Sequence, residues 1–418
     1  MAAARIEFEL AIGPDQFAEI AKLRAFRRIW ARVLEASGVE PDLRRSPTLG
    51  RTSGRMWSAI DPWVNMLRGT TATFAAAVAG ADGMTVAPFD AEIGVPGQLG
   101  RRMARNTQLV LMNESSLAKV ADPGGGSWYV ESLTDELAGL GWERFTAIEA
   151  EGGIVAALES GSIADQLAEA AGQRHDEIDR RERELTGVNT FPLLGDDGTE
   201  PIEPPDAEAL AAAEAERLSA DGEDADGGTR EAASLIELRD MALEGTRIDQ
   251  LVARIGLEPR TSRPLPQTRD AAPFEDLRRQ SGGGSGREPA RIFLAAVGPL
   301  AQHNSVATWA KNFFESGGIE TAPSGERDDS AALAQAFADS GLRVAAVCAN
   351  PKAEPEELRD VVDGLRRAGA AEVYLAMRSG EDADAAGADL GVRDGTPMLQ
   401  TLTKVAAAAR GELEVEPA

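Results

Sequence analysis

The stretch from Val297 to Gly318, VGPLAQHNSVATWAKNFFESGG, follows the apolar run ARIFLAAV and carries a single histidine, His303. A strand, a tight Gly turn and a helix start are the parts of a cofactor-binding βα unit. An imidazole there serves a metal well only when a neighbouring group fixes its tautomer. No carboxylate stands beside His303, so it reads as an ordinary polar residue at a helix start. Asp122-Pro-Gly-Gly-Gly-Ser127 has the composition of a phosphate cradle. A tight turn in which Gly supplies positive φ is the commoner use of such residues and is the expectation here. Glu114 and Glu131 are isolated carboxylates with no paired partner, which gives them no acid or base role. Trp128 and Tyr129 read as packing residues. Cys348 stands alone in the apolar run VAAVCAN, so no intramolecular disulfide forms, and no Cys/His cluster offers structural zinc.

The elements that position these residues fall into three segments. In residues 1–190, RIEFELAIG alternates like a strand, and Phe17, Ile20, Leu23, Phe26, Trp30 and Leu34 recur at helical spacing before Gly38. Further strands are predicted at SGRMWSAIDP, GMTVAPFD and LAKVADP, with helices between them and two more after Ser127. Strands alternating with helices predict an α/β fold with parallel strands. Residues 191–288 include DDGTEPIEPPD, LSADGEDADGGTR and QSGGGSGREP, a composition that favours a solvated acidic connector with some helix. Residues 289–418 return to regular alternation and predict a doubly wound α/β domain.

The chain has 418 residues and a net charge of −26. Both nucleic acid and an anionic membrane surface would repel so acidic a molecule. No apolar run reaches the length of a membrane span, and the N-terminus lacks the apolar region of a signal peptide. A reducing, cytoplasmic setting is expected.

Two stretches are more specific than generic α/β sequence: DPWVNMLRGTTATFAAAVAGADGMTVAPFD from Asp61, and RRMARNTQLVLMNESSLAKVADPGGGSWYVESLT from Arg101. Both resemble the methylmalonyl-CoA mutase family, as does AKLRAFRRIWARV. The resemblance implies a (β/α)8 TIM-type barrel joined to a flavodoxin-like cobalamin-binding domain. It also implies an isomerase that interconverts methylmalonyl-CoA and succinyl-CoA with adenosylcobalamin as radical source. Residues 1–190 would then be the C-terminal half of the barrel and residues 289–418 the flavodoxin-like domain. The upstream half of the barrel, with the substrate-facing residues of the active subunit, has no counterpart here. Either the chain is a truncated copy, or another polypeptide supplies that half.

Cobalamin-binding members carry Asp-x-His-x-x-Gly after the glycine shared with Gly298. The corresponding positions here hold Leu300, Gln302 and Ser305, and His303 lies one residue away. The family's HTNSLDE segment becomes TVAPFDA, with Thr85 for the histidine and Ala91 for the glutamate; only Asp90 matches. Arg101, Arg102 and Arg105 could face CoA phosphates, but a solvated or partner-facing surface is the expectation. Loss at both cofactor-facing segments resembles the non-catalytic small subunit of the heterodimeric bacterial enzymes. The resemblance therefore implies an inactive structural partner, with adenosylcobalamin on the catalytic large subunit and no catalytic or metal-binding residue in this chain. The alternatives are a competent mutase chain with altered cofactor contacts, and a non-functional remnant.

Overall fold

The computed structural model of the chain describes residues 5–195, 202, 206–220, 234–255, 261–282, 288–325 and 329–412. The acid- and Gly-rich stretches at 196–206, 218–230 and 280–289 fall largely outside them. The chain forms two units. The larger comprises residues 1–145, 167–202 and 266–418, and the smaller residues 146–166 and 203–265.

The larger unit contains two parallel sheets among the described residues. The first has three strands in sequence order, β1 (Phe8–Ile12), β2 (Thr48–Thr52) and β3 (Gly83–Thr85). Phe8 is in register with Thr48, and Leu49 with Gly83. Parallel neighbours need crossovers, and α1 (Gln16–Ala36) and α2 (Val64–Val78) supply them. The Asp15 carboxylate accepts the Ala18 amide at the start of α1. Beyond its end, Gly38 takes a φ of +73°. Ile20 and Leu23 from α1 meet Ala72, Ala75 and Ala76 from α2 over Ile12 and Trp57. The small residues let α2 lie close: a Cβ on Gly69 would stand 3.2 Å from the Trp57 ring. Next come α3 (Gln98–Asn113), α4 (Trp128–Ala150), α5 (Gly153–Ser160) and α6 (Ser162–Asp179).

Two predicted strands of this segment are corrected. The second lies at Thr48–Thr52, whereas Gly54–Met56 within SGRMWSAIDP is a 3-10 turn. The inward positions of the true strand are Thr48, Gly50 and Thr52, which hide its hydrophobic alternation. Met56 and Trp57 are buried as a turn, locked where Asn65 Nδ2 donates to the Ser58 carbonyl and Oδ1 accepts the Ser58 amide. LAKVADP contains a 3-10 turn at Leu117–Lys119, with Val120 exposed, in place of a fourth strand.

In the smaller unit lie α5, α7 (Ala207–Ala220), α8 (Leu235–Leu243) and α9 (Ile248–Ile255). Ser234 and Glu237 form a capping box at the start of α8. Arg263 donates to the Gly161 carbonyl at 2.8 Å.

The second sheet of the larger unit follows α10 (Ala272–Ser281). Its strands are β4 (Arg291–Ala296), β5 (Glu320–Pro323), β6 (Val344–Cys348), β7 (Glu372–Ala376) and β8 (Leu390–Val392), in the order β5-β4-β6-β7-β8. The helices α11 (Leu300–Glu315), α12 (Ser330–Ser340), α13 (Arg359–Arg367), α14 (Gly380–Ala386) and α15 (Met398–Arg410) cover it. Both faces are buried, so β6 reads VAAVC without alternation and every residue in it is buried. Phe313, Phe314, Met398 and Leu402 pack on one face, and Phe337, Val362 and Leu365 on the other.

Although α10 lies within the acidic connector, Phe274 and Leu277 enter the first of these cores. Its Glu275 reaches the loop after β2. There the buried carboxylate accepts the Ala59 amide at 2.8 Å and both terminal nitrogens of Arg269 at 2.7 and 2.6 Å. Removing it leaves a partly buried amide and a half-buried cation without their acceptor. Glu275→Ala is expected to destabilise the larger unit by about 2–4 kcal/mol. Urea unfolding of the full chain measures this; an unchanged midpoint would show that Glu275 is dispensable.

Candidate functional site

The first turn of α11 places the residues expected at the cobalamin positions. Leu300, Gln302 and Ser305 are exposed, with Leu300 53% accessible. His303 points the other way. It is buried, and its Nδ1 lies 3.0 Å from the Gly298 carbonyl, five residues back. Gly298 needs its glycine: φ is +80°, and a Cβ would meet the Gln302 Oε1 at 3.0 Å. The imidazole thus closes its own turn.

Thr85 ends β3 and is exposed, while Ala91 is half-buried. Asp90 is buried, and its Oδ2 accepts the Gly97 amide at 2.8 Å. A carboxylate at the start of α3 is favoured by the helix dipole. Its other oxygen makes no hydrogen bond and lies against Gly100. The retained aspartate therefore serves the entry to a helix. Arg101, Arg102 and Arg105 project from the same helix around an open groove of about 390 Å³, which Gln98 completes. Arg101 also donates to the Pro96 carbonyl at 3.0 Å.

The Asp122–Ser127 loop turns its donors inward. The Gly125 amide bonds the Asp122 carbonyl at 3.0 Å, and the Gly126 amide the Glu131 carboxylate at 3.1 Å. Arg24 of α1 clamps Asp122 through both carboxylate oxygens at 2.7 and 2.9 Å and donates to Glu131 at 2.7 Å. These carboxylates raise the pKa of Arg24, with Asp122 acting most strongly. Glu131 thereby acquires a structural role that its isolation in sequence does not reveal. Glu114 merely ends α3. Trp128 departs from the packing role expected of it, being 91% exposed, while Tyr129 meets the half-exposed Phe17 edge-on at 5.3 Å. Both follow the glycine turn on the first turn of α4, of which it is Val130 that enters the core.

One concave site escaped sequence reasoning. Beyond the carboxyl ends of β1 and β2 lies a cavity of about 880 Å³, lined by Gly13, Lys22, Arg55, Arg174, His175 and Asp270 among others. Ligands of parallel sheets commonly occupy this end. Its walls come from positions as distant in sequence as Ala11 and Asp270. The one legible signal was the helical spacing of Leu167, Ala170, Ala171 and Arg174 on α6.

Cys348 is fully buried at the end of β6, and burial pushes its thiol up to about 12. Thiolate, the reactive form, is then scarce at neutral pH. A disulfide reagent is expected to label Cys348 only as fast as the chain unfolds; rapid labelling of the native chain would contradict its burial.

A Cβ added to Gly100 would stand 2.0 Å from Oδ1 of the buried Asp90 carboxylate. Gly100→Ala is expected to cost about 1–3 kcal/mol. The double variant Asp90→Ala/Gly100→Ala should be no less stable than Asp90→Ala alone. Additive losses in a denaturation cycle would refute the clash.

A family model described as methylmalonyl-CoA mutase matches residues 1–255. The methylmalonyl-CoA mutase small subunit of Streptomyces virginiae is 40% identical over 384 residues, which cover 91% of this chain and 53% of that protein. A probable methylmalonyl-CoA mutase small subunit of Mycobacterium tuberculosis is also 40% identical, over 89% of this chain and 52% of that protein. The small subunit of Propionibacterium freudenreichii subsp. shermanii is 31% identical, over 88% and 50%. The chain spans about half the length of these curated relatives.

Proposed function

The chain belongs to the methylmalonyl-CoA mutase family, and from that premise we propose that it acts in the small subunit of a heterodimeric methylmalonyl-CoA mutase. In this reading it is a non-catalytic partner of a catalytic large subunit, working in the cytoplasm. The names of the relatives support the subunit assignment. The strand order of the second sheet, with its second strand outermost and the first beside it, supports a flavodoxin-like domain. Three parallel strands with helical crossovers support a partial barrel in residues 1–190.

The observation that carries the non-catalytic role is the first turn of α11. Adenosylcobalamin, which supplies the radical in this family, does not fit a histidine-ligated site there. Leu300 offers no polar atom, Gln302 and Ser305 replace the ligand and the close-approach glycine, and His303 is buried against Gly298. We therefore assign the cofactor to the large subunit, and to this chain a role in binding and stabilising it.

Titration of the purified chain with hydroxocobalamin tests the cofactor assignment. No stoichiometric histidine-ligated spectrum is expected; one that disappears in His303→Ala would overturn it. Co-expression with the large subunit tests the partnership. The two chains should co-elute, and mutase activity should survive Gln302→Ala in the assembled complex. Loss of activity with assembly intact would make this chain a participant in the chemistry.

A further inference from the structure

The cavity beyond β1 and β2 contains one cation that the protein leaves largely unused. Its other cations are committed. Lys22 pairs with Glu19, Arg174 grips both oxygens of Asp270 at 2.8 and 2.5 Å, and Arg269 takes Glu275 together with Glu92. Arg55 is different. Its Nε lies 3.9 Å from Asp270 Oδ1, an oxygen already engaged by Arg174, and its side chain donates no hydrogen bond among the described residues. Nor is it a loose surface residue. It sits in the Gly54–Met56 turn, and its own carbonyl accepts the Asp270 amide at 3.0 Å, which ties the turn to the segment entering α10. Its side chain is 46% exposed, and Arg55 lines the cavity. Burial lowers its pKa, and the neighbouring charge of Arg174 acts in the same direction.

The remaining walls select what could fill that place. Leu167, Ala170 and Ala171 lie on one face of α6, followed on that face by Arg174 and His175. The cavity thus has an apolar strip beside a basic end. Glu19, Glu92 and Asp270 also line it. A second negative charge on a ligand would be opposed by these carboxylates.

We propose that this cavity is a binding site for a short aliphatic monocarboxylate, held by the guanidinium fork of Arg55 with its hydrocarbon tail along Leu167, Ala170 and Ala171. Planar guanidinium and carboxylate groups match in two parallel hydrogen bonds. His175 offers a further ring nitrogen at the same end. No contact to a mutase partner is needed, so the site stands apart from the small-subunit reading.

Butyrate is a suitable probe, applied to the full chain at constant ionic strength. Two readouts apply: the thermal midpoint, which a native-state ligand raises saturably, and saturation-transfer NMR on the butyrate methyl. Both should respond to butyrate, and butylamine should have no effect. Succinate and inorganic phosphate should bind about tenfold or more weakly than butyrate, because each brings extra negative charge toward Glu19 and Glu92. Arg55→Gln should weaken butyrate about tenfold or more, and Arg55→Lys by less, since the charge remains without the fork. Ala171→Glu leaves Arg55 in place and should also abolish binding. Equal binding by Arg55→Gln in a folded chain would overturn the proposal. So would succinate or phosphate matching butyrate, or a butyrate response no larger than that to chloride.

Discussion

The buried carboxylate of Glu275 is the interaction on which the larger unit depends. It belongs to α10, whose Phe274 and Leu277 are part of the core beneath the five-stranded sheet. Its oxygens are spent on the Ala59 amide and Arg269, which belong to the loop after β2 and to the segment preceding α10. An ionised group in so little water persists only if its hydrogen-bond capacity is met. The loop after β2 is therefore tied to the helix that packs beneath the five-stranded sheet. Arg278, one turn along α10, repeats the device with opposite charge. Burial lowers its pKa to about 10, and its guanidinium is solvated by the carbonyls of Gly187, Val188 and Ser316 at 3.2, 2.7 and 3.0 Å. It remains charged at neutral pH and joins the loop after α6 to the turn after α11.

Polar groups beside the family's cofactor positions have been turned to structural use. Asp90 holds the start of α3, and His303 closes the turn that begins α11. Asp122 and Glu131 are clamped by Arg24, so the glycine loop is tied to α1 and α4. Each group is engaged by its own chain, although one oxygen of Asp90 makes no hydrogen bond. A site whose donors and acceptors are consumed internally has little left to offer a ligand, whereas Arg55 in the neighbouring cavity keeps its donors. Among the described residues no helix is long and apolar enough to cross a membrane.

Local pattern determined much about this protein. The buried strands β4 and β6 were legible as apolar runs because both of their faces are covered, and α1 was legible from the spacing of Ile20, Leu23 and Leu34 up to Gly38. The family could be read from contiguous stretches such as DPWVNMLR and RNTQLVLMN, and the departures at Leu300, Gln302 and Ser305 could be read against the family's motif. Tertiary structure decided the rest. Strand β2 buries Thr48, Gly50 and Thr52, residues whose inward face only their neighbours define, while the apolar Met56 and Trp57 that mimic a strand are held in a turn by Asn65. The direction of His303 depended on the Gly298 carbonyl, and the use of Asp90 on the absence of a side chain at Gly100. The cavity assembles residues from 11 to 270, and the isolation of Arg55 follows from Arg174 having taken Asp270. Periodicity reports which face of an element is apolar; which partner a charged or polar side chain meets depends on contacts across long sequence separations, and those exist only once the chain has folded.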